Sequence, residues 1–265
     1  SAIILPVLPQ TTLFVEPFDV LVPFRIWLMV VFISSISFTG YILLKFLGAQ
    51  QAIGVTGLLG GLVSSTAVTL SFAERSNTAK KLARPLAFAI LLAWTTMFPR
   101  VIVEVGVVNA ELLPQVWIPI TAAGGVGLVY SIYLFFSQKD TGKGNVKFNN
   151  PFKLMSAIRF GLLYAVVLLI ARIAQVYFDD VAVLVSALIS GLADVDAITL
   201  SLAEFARNGS ISGELASQGI VLAAMANTAT KGAIVMLSGS RKLKRALLPG
   251  MILVLTTGIV TAFFF

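Results

Sequence analysis

The stretch GLADVDAITLSLAE, residues 191–204, repeats an earlier one, GLVSSTAVTLSFAE, residues 61–74, at an offset of 130 with eight of fourteen positions identical. The main differences set Ser64, Ser65 and Thr66 against Asp194, Val195 and Asp196. Other landmarks recur in the same order: PFR at Pro23 and PFK at Pro151, then LLP at 112–114 and 247–249. Matched landmarks in a fixed order identify an internal duplication. The copies share a frame and differ at a polar tip.

Composition fixes the solvent of this duplicated unit. With 58% hydrophobic and 12% charged residues over 265 positions, the chain carries more apolar surface than a water-soluble core can hide. Apolar runs fall at about 23–46, 48–76, 85–108, 112–136, 152–178, 181–206, 219–237 and 245–265, each long enough to cross about 30 Å of hydrocarbon. The expectation is an all-α polytopic membrane protein in contact with the lipid bilayer. Residues 1–22, with Pro6, Pro9 and Pro17, read as an interfacial lead-in. Residues 23–136 read as the first membrane repeat, 137–150 (SQKDTGKGNVKFNN) as a hydrophilic cytoplasmic linker, and 151–265 as the second repeat. The chain opens at Ser1 without a basic n-region, so no signal peptide is expected.

The absence of cysteine and histidine excludes disulfides, thiolate metal sites and imidazole proton transfer. The net charge of +7 resides in short loops between apolar runs, where it sets orientation; nucleic acid is not an expected partner. Basic clusters lie at Arg75, Lys80, Lys81 and Arg84, at Lys139, Lys143, Lys147 and Lys153, and at Arg241, Lys242, Lys244 and Arg245. Acidic loops intervene, at Glu104 and Glu111, at Asp179 and Asp180, and at Glu204 and Glu214. Eight full crossings would put the third basic cluster opposite the first two, against the tendency of basic loops to stay cytoplasmic. Re-entrant hairpins at the two repeated stretches remove the conflict. Each half then holds three transmembrane helices plus one hairpin, and an odd number of crossings makes the repeats inverted. The competing reading is two ordinary spans whose small residues allow close packing. Gly57, Gly60 and Gly61, and Ser190 with Gly191, suit a tight turn at depth.

Inverted repeats with broken helices around a central site are the plan of many secondary transporters. Asp194 and Asp196 stand at one tip, and carboxylates at membrane depth mark function when they bind or pair with a cation. They are the candidate metal ligands, for a hard ion such as Mg²⁺ or Na⁺, with Ser64, Ser65, Thr66, Asn227 and Thr228 as further oxygen donors. The plainer reading makes Asp194 the cap of a helix starting near Val195, with Asp196 in its first turn. Lys231 is expected to pair with one of these acids or to reach back to the interface, and Arg100 adds positive charge nearby. Arg100, Lys231 and the hairpin N-termini open an anion-binding alternative. Thr95, Thr96, Thr228 and Thr230 either ligate an ion or bond to helix carbonyls. Trp27, Trp94 and Trp117 suit the interfacial belts. No nucleophile with an adjacent base is visible, so no enzyme activity and no cofactor beyond a bound ion are expected.

The motifs TGLLGGLVSSTAVTLSFAER (Thr56–Arg75), MFPR (Met97–Arg100), NPFKL (Asn150–Leu154), SGLADVDAITLSLA (Ser190–Ala203) and ANTATK (Ala226–Lys231) resemble the bacterial membrane domain of unknown function that follows an MgtC/SapB-type domain. The resemblance covers nearly the whole chain. It implies a multi-pass protein of the bacterial inner membrane, linked to magnesium limitation and envelope stress, with an MgtC/SapB-type domain as a partner; that domain is absent from this sequence. The combined expectation is a secondary transporter or ion-conducting protein for a hard cation, by analogy a homodimer. The alternatives are an anion transporter and a non-transporting regulatory or assembly protein.

Overall fold

A computed structural model describes residues 4–11, 15–47, 53–137 and 154–264. The linker 138–150 and the motif at Asn150–Lys153 lie outside these. The described lead-in holds two short 3-10 turns, Leu5–Val7 and Phe18–Val20. Ten α-helices follow: α1 (Pro23–Leu47), α2 (Ile53–Thr78), α3 (Ala83–Thr95), α4 (Met97–Val108), α5 (Leu113–Phe136), α6 (Leu154–Tyr177), α7 (Asp180–Ala193), α8 (Val195–Arg207), α9 (Gly213–Ser238) and α10 (Arg241–Phe264). The described residues contain no strand. Among the described residues seven helical stretches are long and apolar enough to cross a membrane, namely 23–43, 53–78, 80–108, 110–136, 158–177, 213–238 and 241–264, while Asp180–Ala193 is apolar but shorter.

The duplication is visible in where helices break. Inside α2 the backbone becomes extended at Ser64 (φ −167°, ψ 101°), and between α7 and α8 it does so at Asp194 (φ −157°, ψ 129°), one repeat later. Each breaking residue caps the helix that resumes after it: Ser64 Oγ accepts from the Ala67 N–H at 3.2 Å, and Asp194 Oδ1 from the Ala197 N–H at 3.0 Å. The repeats differ one helix later. Pro99 has no N–H to return to Thr95, and the chain divides into α3 and α4 around Thr96; the corresponding stretch of α9 has no proline and runs unbroken for 26 residues. Helices α9 and α10 begin earlier than their apolar runs, because Ser212 caps the first through the Leu215 N–H and the basic residues 241–245 form the first turns of the second.

Close helix packing is set by small residues. A Cβ on Gly191 would lie 2.5 Å from the Ala223 backbone of α9, and one on Gly61 would lie 2.7 Å from Ala93 Cα of α3. Gly219 of α9 sits against both Ala187 of α7 and Leu202 of α8. Trp94 is buried and donates its indole N–H to Thr69 Oγ1 at 2.8 Å, so it belongs to the core and not to the interfacial belt; Trp117 is exposed.

Charge separates the two ends of the bundle. At one end Asn77 donates to the Ser238 carbonyl (2.7 Å), the Ser240 N–H donates to Ser76 Oγ (2.8 Å) and Arg84 donates to the Ser137 carbonyl (2.8 Å). These bonds gather the basic residues 75–84 and 241–245. At the other end of α9, about 39 Å away along the helix, Ser217 donates to the Gln115 carbonyl (2.9 Å), Arg207 to the Val108 carbonyl (3.3 Å) and Gln175 to the Ser210 carbonyl (3.3 Å). This end carries Glu111, Asp179, Asp180, Glu204 and Glu214. Glu204 is paired there with Arg25 (2.7 Å) and Arg207 (2.5 Å).

Gly191→Ala is expected to lower stability by about 1–3 kcal/mol, because its methyl meets backbone. Gly125→Ala, with open space around it, is expected to be neutral or stabilising by up to about 1 kcal/mol. Unfolding midpoints in detergent check both.

Candidate functional site

The charged residues inside the bundle meet where the repeats have diverged. Helix α4 lies along α8: Asn109 donates weakly to the Ala203 carbonyl at 3.5 Å at their ends, and Arg100 meets Asp196 at the α8 start. The Arg100 guanidinium engages both carboxylate oxygens, Nε to Oδ1 at 3.1 Å and Nη2 to Oδ2. Its Nε is also 3.4 Å from Glu104 Oε1, one helical turn on. Asp196 and Glu104 are both buried, and neither oxygen of Glu104 has a hydrogen-bond partner among the described residues. Planar bidentate pairing of this kind is the geometry arginine offers that lysine cannot.

Lys231 lies near this cluster without pairing to it. It is 2% exposed and forms no ion pair among the described residues; its Nζ lies 3.4 Å from Met97 Sδ on α4. The expected pairing of Lys231 with Asp194 or Asp196 is therefore not what the structure holds. Asp196 is taken by Arg100, a stronger bidentate partner on the neighbouring helix, and Asp194 Oδ1 is committed to the α8 N-terminus.

The remaining sequence candidates divide by what they touch. Asn227 Nδ2 donates to the Gly191 carbonyl at 3.1 Å and Thr230 Oγ1 to the Leu192 carbonyl at 3.2 Å. These α9 side chains satisfy carbonyls that α7 leaves open at its C-terminal end. Thr228, Thr95 and Thr96 bond back to carbonyls of their own helices. Ser64 is a cap, the Ser65 carbonyl accepts from Thr69 Oγ1 at 2.7 Å, and Thr66 is exposed on the protein surface. Asp194, Asp196, Asn227, Thr230, Arg100, Glu104 and Lys231 thus share the region around the α7–α8 break and the facing parts of α4 and α9. Among the described residues no cluster of three Asp, Glu, Cys or His is arranged to hold a metal ion.

Glu104 is not the loop acid that its place at the end of an apolar run suggests. It lies inside α4 at 0% exposure, and its spacing of four from Arg100 is the signal that places both on one helix face. Thr199, whose buried Oγ1 also has no hydrogen-bond partner among the described residues, carries no such signal.

A family model described as Domain of unknown function (DUF4010) matches residues 31–239. A protein of Aquifex aeolicus (strain VF5), described as an uncharacterized protein, is 33% identical over 203 residues, covering 76% of this chain and 88% of that one. No solved structure matches. The family description carries no activity and mentions neither an MgtC/SapB-type domain nor magnesium.

Removing Arg100 leaves two buried acids without a counter-charge. Arg100→Ala is expected to lower stability by about 3–5 kcal/mol. Arg100→Ala combined with Asp196→Ala should recover part of that loss, and a double-mutant cycle in detergent-solubilised protein measures the coupling.

Proposed function

We propose that this chain, which belongs to the DUF4010 family, is a secondary transporter or ion-conducting membrane protein built from inverted repeats, with its ion site between the two helix breaks. The observation that carries the reading is the pair of breaks at Ser64 and Asp194, one repeat apart, with buried charged side chains beside the second. Broken helices expose N–H groups at depth, where they and nearby charges can receive an ion that has left water.

Several contacts support inversion. The segment of α2 after Ser64 ends beside Ser238 and Ser240 at the basic end, whereas its repeat image, α8, ends beside Val108 at the acidic end. Helix α5 runs toward the basic end and its counterpart α10 runs away from it. Re-entry is supported by Gly219, which meets Ala187 and Leu202 together. These two are fifteen positions apart and would be about 22 Å apart along a continuous helix; chain reversal at Asp194 brings them to one level. In the first half Gly61 meets Ala93 while Thr69, beyond the break, meets Trp94.

The ion the site favours is an anion. Both oxygens of Asp196 face Arg100 and Asp194 Oδ1 caps α8, which leaves Lys231 as the buried base that forms no ion pair among the described residues. The hard-cation reading, with Asp194 and Asp196 as ligands for Mg²⁺ or Na⁺, has one observation on its side: three acids, Asp194, Asp196 and Glu104, lie near two bases, Arg100 and Lys231. Homodimerisation and residence in a bacterial inner membrane accompany either reading.

Flux into proteoliposomes separates them. On the anion reading, wild-type protein carries a small inorganic anion, Lys231→Ala lowers uptake at least about tenfold, the loss of about one buried charge-assisted contact, and Asp196→Asn strengthens anion binding by freeing Arg100. Cation flux abolished by the Asp194→Asn, Asp196→Asn double variant would establish the other reading. No flux of any ion would sink both and favour a regulatory or assembly role.

A further inference from the structure

At the basic end a hollow of about 490 Å³ opens between the start of α3 and the start of α10. Five of its eight lining residues are Lys80, Lys81, Arg84, Lys242 and Arg245, and none is acidic. Basic loops orient a membrane protein wherever they lie along the cytoplasmic side, so orientation alone does not require five cations around one concavity. Gathering like charges is unfavourable unless an anion sits among them.

The hollow is held in shape by the bonds that tie this end together. Asn77 to the Ser238 carbonyl and the Ser240 N–H to Ser76 Oγ fix α10 against α2, and Arg84 to the Ser137 carbonyl fixes the α3 start against the end of α5. At the end of α2, an Arg75 Nη1 is buried with no hydrogen-bond partner among the described residues. Phe135 of α5 packs against Phe88 of α3, one helical turn on from the lining residues Arg84 and Pro85, and Phe135, Phe136 and Leu248 are exposed apolar side chains. Gathered cations with exposed apolar side chains close by match a phosphate headgroup and its acyl chains.

We propose that this hollow is a phosphate-binding site whose ligand is the headgroup of an anionic phospholipid. Each cation at such a surface strengthens binding about fivefold.

Native mass spectrometry of the full chain, equilibrated in detergent with equal phosphatidylglycerol and phosphatidylcholine, tests this. Wild-type protein should retain phosphatidylglycerol preferentially. Lys81→Gln with Lys242→Gln should lower that retention about 25-fold, while Lys81→Arg with Lys242→Arg, which keeps charge and orientation, should preserve it. Excess inorganic phosphate distinguishes the sources: protection of Lys81 from acetylation by phosphate and not by phosphatidylglycerol would assign the site to the free anion. Equal retention of the two lipids without phosphate protection would overturn the proposal, as would unchanged retention in the glutamine variant.

Discussion

A helix that breaks inside an apolar interior releases backbone groups that no water can satisfy, and each such group costs several kcal/mol if left unpaired. Much of this protein is arranged around meeting that demand twice. Ser64 and Asp194 supply the acceptors for the resuming helices, and Asn227 and Thr230 reach across from α9 to the carbonyls at the end of α7. Gly61 and Gly191 let α3 and α9 approach closely enough to brace the broken segments. The breaks are thus fixed features of the fold, and the charged side chains beside the Asp194 break are carried on α4, α8 and α9.

Within this repeated frame the charges are not repeated. The equivalents of Arg100, Glu104 and Asp196 are Thr230, Ile234 and Thr66. The first repeat supplies an arginine and a glutamate, the second an aspartate, and the ion pair forms only because α4 of one copy lies along α8 of the other. Lys231 comes from the second copy and faces Met97 of the first. Divergence has placed one committed ion pair and one lysine without an ion pair among the described residues beside the Asp194 break.

The breaks are legible in the sequence because a polar tip inside an apolar run costs energy unless the helix stops there and uses it as a cap, and the offset of 130 marks Ser64 and Asp194 together. The division of the chain at Pro99 is legible in principle from the missing N–H. Partner choice is not. Arg100 and Lys231 both lie within reach of the acids by sequence, and only the packing of α4 on α8 decides for Arg100. Glu104 resembles a loop residue because a carboxylate ends an apolar run when read by composition, whereas its burial depends on a neighbouring helix. Trp94 escapes a sequence reading in the same way: tryptophan as a residue type suits an interface, until Thr69 offers its indole a buried partner. The lead-in and the hydrophilic linker are set off by proline content and polarity, which say little about the packing of such segments.

Inversion of the repeats stands or falls on whether α7 and α8 enter and leave on one side of the membrane. The chain has no cysteine, so single cysteines at Phe178 and Ser210, which flank the pair, can each be labelled with a membrane-impermeant thiol reagent in intact cells and in inverted vesicles. Both positions are expected to react from the same side. Reaction from opposite sides would make α7 and α8 one crossing, remove the inversion of the repeats, and contradict the placing of an ion site at the Asp194 break.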